Sequence, residues 1–397
     1  MITNRQLFLN YVAQTSDSPL MLEVERAEGV YLLGPKGEKY LDLISGISVS
    51  NVGHSHPRVV EAVTQQASRY MHLMVYGEII QSPQVQLASR LTKILPETLN
   101  SVYFVNSGSE AVEGALKLAK RFTGKAEIVS FKNAYHGSTH GALSVMGNED
   151  QKRAFRPLLP DVKHLQFNSI DDLEQITEKT ACVIVEPIQG EAGIVVPKND
   201  FLKELRRQCD KTGALLIFDE IQTGLGRTGK LFAFEQFGVI PDILLLAKAL
   251  GGGMPLGAFI SSREIMRSLT NNPVLGHITT FGGHPVSCAA SLAATDVLLD
   301  ENLIDCVNTK ETILKNIIGE HPMVKEIRSF GLFMAVELGS FDKVQKLIKY
   351  GVEHGFIVDW FLFCNTAVRV APPLVITEDE CRLAAAMIVE GLNEIFS

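Results

Sequence analysis

Apolar and polar positions follow three different rhythms along the chain. Residues 21–43, MLEVERAEGVYLLGPKGEKYLDL, alternate apolar with polar side chains around GPKG, which predicts short antiparallel strands. After about residue 45 the alternation gives way to continuous apolar runs, SVYFVNSG, AEIVSF, ACVIVEP, ALLIFDE and DILLLAK, separated by helical stretches. A strand that is apolar on both faces must be covered on both, so these runs predict a mostly parallel sheet between helices, an α/β core. From about residue 300 the helical ENLIDCVNTKETILKNIIGE leads into VKEIRSFGLFMAVEL, another helix, VRVAPP and a last helix from Thr377. This third pattern predicts a smaller α+β unit packed with the N-terminal strands. The expected division is a large domain over 45–300 and a small domain formed by 1–44 and 301–397.

Composition narrows the function classes. With 397 residues, 46% of them hydrophobic, the chain can bury a large core. Its net charge of -8 gives no reason to expect a nucleic-acid surface. No stretch approaches the roughly 20 continuous apolar residues of a membrane span. The N-terminus lacks an apolar segment behind basic residues, so the expectation is a cytoplasmic protein with a small-molecule partner. Six cysteines (Cys182, Cys209, Cys288, Cys306, Cys364, Cys381) without a C-x-x-C pattern read as reduced thiols rather than disulfides or a zinc site.

The stretch ALLIFDEIQTGLGRTGK contains a glycine motif that fits two nucleotide fingerprints and satisfies neither. A dinucleotide loop follows its strand directly and opens a long helix, with the phosphates on the helix N-terminus. Here IQT intervenes, Asp219 and Glu220 would repel a pyrophosphate, and Pro241 stops the following segment before much of a helix can form. The P-loop alternative lacks its magnesium-binding hydroxyl, because Leu231 stands there.

The same stretch puts Asp219 at the carboxyl end of a central strand, where α/β sheets hold their ligands. About thirty residues on, Lys248 follows the apolar DILLLA and precedes three glycines. Taken singly, Asp219 could be a helix cap or a solvated acid, and Lys248 an ordinary strand-end lysine. Together they match the needs of pyridoxal phosphate: a desolvated lysine to form a Schiff base, and a carboxylate to keep the ring nitrogen protonated. The phosphate finds a home in SVYFVNSGSEAVEGALKLAKRF, a strand, a small-residue turn at Ser107, Gly108 and Ser109, and a helix with Ala111, Ala115, Leu118 and Phe122 on its inner side.

The segment LLIFDEIQTGLGRTGKLFAFEQFGVIPDILLLAKALGGGMPLGAF resembles, nearly position for position, the signature of class III pyridoxal-phosphate aminotransferases, the group of acetylornithine, ornithine and 4-aminobutyrate aminotransferases. The likeness extends through DLISGISVSNVGHSHP, NSGSEAVEGALKLAK, NAYHG, VEPIQGEAG, TTFGGHPVSCAAS and RVAPPL. It implies fold type I, a homodimer with active sites at the subunit interface, and ping-pong transfer of an amino group from an amino acid or ω-amine donor to a 2-oxoacid such as 2-oxoglutarate. Carried over by position, Lys248 is the Schiff-base lysine and proton shuttle, and Asp219 the pyridinium partner. Gln222 reaches the phenolic oxygen, Ile221 and Tyr135 flank the ring, and Ser107, Gly108 and Ser109 cradle the phosphate. Thr280 reaches that phosphate from the other subunit. Glu191 and Arg369 resemble a pair that trades partners between half-reactions, Arg369 releasing Glu191 to take the distal carboxylate of a dicarboxylic oxoacid; a permanent salt bridge is the competing reading. His54, His56, His136 and His284 tempt a metal reading, but the family uses no metal and loop histidines are often only hydrogen-bonded.

One position departs from the pattern. Ser138 follows the His-Gly pair where relatives usually carry an arginine that grips a substrate carboxylate, so the resemblance implies the chemistry and leaves the substrate open. Two rival functions remain: an aminomutase or epimerase, which needs no alternating substrates, and a cofactor-binding protein without turnover, for which Lys248, Asp219 and Thr280 would be superfluous.

Overall fold

The computed structural model describes residues 2–74 and 77–396. A helix at Asn4–Tyr11 opens the chain, started by a capping box in which Thr3 and Gln6 satisfy each other's backbone N–H groups. The apolar rhythm does not reveal this helix, because the helix buries no residue. Strands Arg26–Glu28 (β1), Tyr31–Leu33 (β2) and Lys39–Asp42 (β3) then pair antiparallel, as the alternation predicts.

The central sheet contains Ser101–Val105 (β4), Glu127–Phe131 (β5), Val162–Leu165 (β6), Thr180–Val185 (β7), Leu215–Asp219 (β8), Ile243–Leu246 (β9) and Gly257–Ser261 (β10). Among the described residues it has seven strands in the order β4-β10-β9-β8-β7-β5-β6. β5 to β9 run parallel, and β10 runs against both its neighbours. The chain is therefore α/β with a mostly parallel sheet. β6 and β10 escape the apolar-run reading, since VKHL is half polar and GAFIS begins with two small residues. Gly257 has a positional reason: a Cβ there would lie 2.3 Å from the Ser107 carbonyl oxygen.

Helix Gly108–Thr123 buries Ala111, Ala115 and Leu118 against the sheet, as expected from their spacing. Phe122 differs: it is 41% exposed. At about 1.5 Å per residue the sixteen-residue helix outruns a five-residue strand of about 3.3 Å per residue, so its last turn overhangs the sheet.

The C-terminal part adds Glu326–Ser329 (β11), Met334–Glu337 (β12), Phe356–Ile357 (β13), Asp359–Phe361 (β14) and Cys364–Val370 (β15). β11, β12, β15 and β14 form an antiparallel sheet, while β13 pairs parallel with β3, so strands from both ends of the chain share one sheet. The last helix, Glu378–Phe396, packs on the helices Val307–Gly319 and Phe341–His354.

The glycine motif after β8 forms turns rather than a helix, and the next helix, Phe234–Phe237, has only four residues. Arg227 in this loop is fully buried and donates to the carbonyls of Leu332 and Pro372 at 2.8 and 2.6 Å, to Ser45 Oγ at 3.1 Å, and to Asn51 Oδ1. Burial pushes its guanidinium down to about 9. GLGRTGK is thus a clamp joining distant segments. Among the described residues no helix is long and apolar enough to cross a membrane.

Candidate active site

A cavity of about 480 Å³ opens where the carboxyl ends of β4, β5, β7, β8 and β9 converge. Its wall includes Ser107, Gly108, Ser109, Tyr135, Asp219, Ile221, Gln222 and Lys248, so eight of the twelve positions singled out from sequence meet in one place. Parallel pairing explains the convergence, because neighbouring parallel strands deliver their last residues to the same edge.

Asp219 ends β8 and pairs with Leu245 of β9, three residues before Lys248. Lys248 adopts φ 49°, a left-handed conformation rare outside glycine. Burial pushes its amine down to about 8; Glu191 and Asp219 oppose that shift and Arg369 adds to it. Asp219 is almost inaccessible, with Oδ1 accepting the Ile221 N–H at 3.0 Å and Oδ2 lying 2.7 Å from His136 Nδ1. An ionised carboxylate can only accept, so the shared hydrogen belongs to Nδ1. His136 Nε2 is buried and without a hydrogen-bond partner.

Sequence reasoning missed both this contact and Glu186. Glu186 directly follows β7, is buried, and accepts the N–H groups of Tyr135 and Gly190, each at 2.8 Å. Burial pushes its carboxyl up to about 7, with His136 opposing and Asp219 adding to the rise. It anchors the loop that carries Tyr135 and His136. The available signal was its place in VIVEP, a strand-end acid like Asp219 in LIFDE.

Ser107 caps the helix Gly108–Thr123, its Oγ accepting the Glu110 N–H at 3.2 Å. The first N–H groups of that helix face an open cavity, a geometry that favours an anion by about 0.3–1 kcal/mol and up to ~2 when partly buried. Gly108 lets Ile221 approach, since a Cβ would fall 2.8 Å from Ile221 Cδ1. Ser109 Oγ accepts the Ser138 N–H at 3.2 Å, and a Cβ on Gly137 would overlap that same Oγ at 2.1 Å. The turn and the Tyr135 loop are therefore packed as one unit. The Tyr135 hydroxyl reaches Ser138 Oγ at 3.4 Å.

The remaining four positions lie outside the cavity wall. Arg369, 1% exposed, donates through Nη2 to both Glu191 oxygens at 2.9 and 2.8 Å. Glu191 also accepts from Gln222 Nε2 at 3.1 Å and the Leu362 N–H at 3.0 Å. Burial works against the Glu191 charge, but Arg369, the Leu362 N–H, Lys248 and Gln222 outweigh it and hold the carboxyl below its ordinary range. The Gln222 amide links this pair to the cavity, and its Oε1 is buried without a partner. Ser138 is exposed. Thr280 is exposed as well, its carbonyl 2.9 Å from His72 Nε2, and it does not reach the cavity of its own chain. The four loop histidines take separate partners: His54 meets Asp42, His56 meets Glu301, His136 meets Asp219, and His284 lies beside the rings of His72 and Phe281.

The chain matches the aminotransferase class-III family over residues 11–392. It is 42% identical over 370 residues to the acetylornithine aminotransferase of Methanopyrus kandleri, covering 92% of this chain and 93% of that one. With the putrescine aminotransferase of Pectobacterium atrosepticum it shares 40% identity over 367 residues, 88% of this chain and 78% of the relative. Among solved structures, the ornithine aminotransferase of Toxoplasma gondii superposes with a TM-score of 0.91 at 31% identity, over 98% of this chain and 93% of that one; that structure has partial occupancy of PLP at its active site.

Proposed function

The chain belongs to the class-III aminotransferases and has their fold type I architecture, and from that premise we propose that it is a pyridoxal-phosphate enzyme transferring an amino group from an amino acid or ω-amine donor to a 2-oxoacid such as 2-oxoglutarate. The observation that carries this reading is the joint delivery of Lys248 and Asp219 to one cavity by adjacent parallel strands, with a helix N-terminus in the same wall.

The residues present fit the cofactor. The cavity offers an anion cradle at Ser107–Ser109 and an amine with a lowered proton affinity. It also offers a carboxylate held by two donors, and a buried Gln222 oxygen that lacks a partner. When bound, pyridoxal phosphate supplies an aldehyde that condenses with amines and a ring that accepts the electrons of a carbanion.

This chain's own groups do the rest. Lys248 holds the cofactor and, once free, takes and returns a proton at the donor carbon; its depression to about 8 keeps much of it neutral near that pH. Asp219 would pair with the protonated ring nitrogen, and His136 Nδ1, 2.7 Å from its Oδ2, orients the carboxylate. Ile221 and Tyr135, which line the cavity, would flank the ring, and Gln222 would attend the phenolic oxygen. The closed Glu191–Arg369 pair suits a donor without a distal carboxylate, and its opening would receive an acceptor that has one.

Thr280, exposed on its own chain, acts in the site of a second copy, which makes the working unit a homodimer with shared active sites. We assign 45–300 to the cofactor-binding domain, and 1–44 with 301–397 to the small domain; the pairing of β3 with β13 supports that grouping. The donor stays unnamed, since relatives of nearly equal identity carry the names of different substrates and Ser138 removes one carboxylate grip.

The test is a donor panel presented to purified holoenzyme, watching the cofactor absorbance change from its aldehyde to its amine form. Borohydride reduction before donor addition, followed by peptide mapping, should place the cofactor on Lys248. A label on another lysine, or no donor able to convert the cofactor, would overturn the reading.

A further inference from the structure

The segment that carries Thr280 lies between the short helix ending at Leu269 and the helix starting at Pro285, in no helix or strand of its own. Its position therefore depends on single contacts, and β4 with the helix Gly108–Thr123 supplies them. Tyr103 donates its hydroxyl to the His277 carbonyl at 2.8 Å, and Lys117 Nζ stands 3.0 Å from His277 Nδ1. Beyond Thr280 the chain presses on Phe104: a Cβ on Gly282 would fall 2.5 Å from the Phe104 carbonyl oxygen, and one on Gly283 would fall 3.1 Å from the Phe104 Cβ. Between these anchors Asn106 Nδ2 donates to Thr279 Oγ1 at 3.1 Å.

Asn106 is itself fixed from the opposite side. Its backbone N–H and its Nδ2 both donate to Glu110 Oε2 at 2.8 Å, and the Glu110 N–H donates to Ser107 Oγ at 3.2 Å. A primary amide carries two donor hydrogens; Glu110 takes one and Thr279 the other. Asn106 also lines the cavity beside Ser107 and Gly108. One side chain thus joins the anion cradle of its own subunit to the residue next to Thr280. Thr280 does not reach that cavity, and it stands exposed between Ile278 and Phe281, themselves 51% and 55% exposed. Large apolar side chains beside an exposed threonine suit contact with a second copy of the chain.

We propose that Asn106 and Thr279 are positioning residues for the partner's site: their hydrogen bond fixes the loop from which Thr280 reaches the cofactor phosphate held by the second copy. The phosphate turn of one subunit then braces the phosphate contact of the other. This rests on the reading of the protein as a shared-site homodimer that binds pyridoxal phosphate. A loop released at Thr279 would have to be ordered again each time the partner binds cofactor, and that ordering cost lowers affinity.

Hybrid dimers with one working lysine isolate the effect. A wild-type subunit paired with a Lys248→Ala subunit leaves a single Lys248 whose own cavity wall is wild type and whose Thr280 comes from the variant chain. Further changes are placed only in that variant chain. Affinity is read by dialysing the hybrid holoenzyme against falling concentrations of pyridoxal phosphate and trapping with borohydride the cofactor still held by Lys248. Adding Thr279→Val should weaken binding about three- to tenfold, the loss of one hydrogen bond. Asn106→Asp keeps the shape, removes the donors and sets a second carboxylate beside Glu110, so it should weaken binding at least as much. Thr279→Ser keeps the hydroxyl and should stay within about twofold of the control hybrid.

Control affinity in the Thr279→Val hybrid, or equal losses for Thr279→Val and Thr279→Ser, overturns the proposal. Thr280→Ala in the same chain separates it from the reading beneath it. If Thr280→Ala weakens the remaining site and Thr279→Val does not, the shared site stands and the proposal falls. If Thr280→Ala leaves the affinity unchanged, the shared-site reading falls and takes the proposal with it. Should Asn106→Asp fail to fold, the two Thr279 variants decide alone.

Discussion

Replacing His136 with phenylalanine separates the chemistry of Asp219 from the stability of the fold. The imidazole is buried and gives Asp219 one of its two donors, at 2.7 Å, while the Ile221 N–H supplies the other at 3.0 Å. A hydrogen bond to a charged group contributes about 1.5–3 kcal/mol, so losing it should make Asp219 more basic and draw the proton from the ring nitrogen towards the carboxylate. If the loss falls entirely on the transition state, kcat drops by about 10- to 150-fold. Phenylalanine keeps most of the ring volume and removes the partnerless Nε2, which offsets part of the stability cost. The assay is single-turnover conversion of the cofactor by donor, run beside cofactor titration and thermal melting. Expected is a large fall in rate with the fold intact. A rate within twofold of wild type would refute the argument that the His136 contact supports Asp219 in the chemistry, and a collapse of the melting temperature would show that His136 serves the fold instead.

Four further outcomes follow from the same geometry. Gly137→Ala introduces a Cβ 2.1 Å from Ser109 Oγ at φ 123°; left-handed strain of about 1–3 kcal/mol should lower cofactor affinity roughly 5- to 150-fold in an absorbance titration, and unchanged affinity would show that the loop and the phosphate turn are not coupled. Arg227→Met strands the carbonyls of Leu332 and Pro372 together with Ser45 and Asn51, and at about 1–3 kcal/mol for each unsatisfied buried group it should shift the denaturant midpoint markedly; an unmoved midpoint removes the clamp. Cofactor capture by the apo-enzyme should speed up with pH and level off above about 8, because the neutral Lys248 amine is the nucleophile; a rate still climbing at pH 10 would contradict its depressed proton affinity. Mixing Lys248→Ala subunits with Thr280→Ala subunits should restore partial activity through the composite site that carries neither change, whereas hybrids that form but stay inactive would place Thr280 elsewhere.

The strands most visible in the sequence are those whose environment is uniform. Runs such as ALLIFDE and DILLLAK are apolar throughout because helices cover both faces of the sheet, and Asp219 stands out as the charge that ends such a run. β6, β10 and the helix Asn4–Tyr11 leave no such trace, since they are half polar, begin with small residues, or bury nothing. Phe122 shows the limit of periodicity, which gives the direction of a side chain and not whether a neighbour is there to cover it.

What the sequence by itself determined is local: the α/β alternation, the acid and the lysine at the ends of their strands, the small-residue turn that starts a helix, and a glycine motif that lacks what a nucleotide loop needs. The tertiary structure decided which groups share hydrogen bonds across distant segments. His136 meets Asp219 from 83 residues away, and Glu186 braces the Tyr135 loop across 51. Asp359 faces Arg369 through strand register alone. Periodicity and strand-end chemistry arise from each segment's own burial and can be read in a few residues. Register and pairing arise from how whole layers pack, where shifting a strand by one residue turns its side chains to the other face, and no short stretch of sequence contains that information.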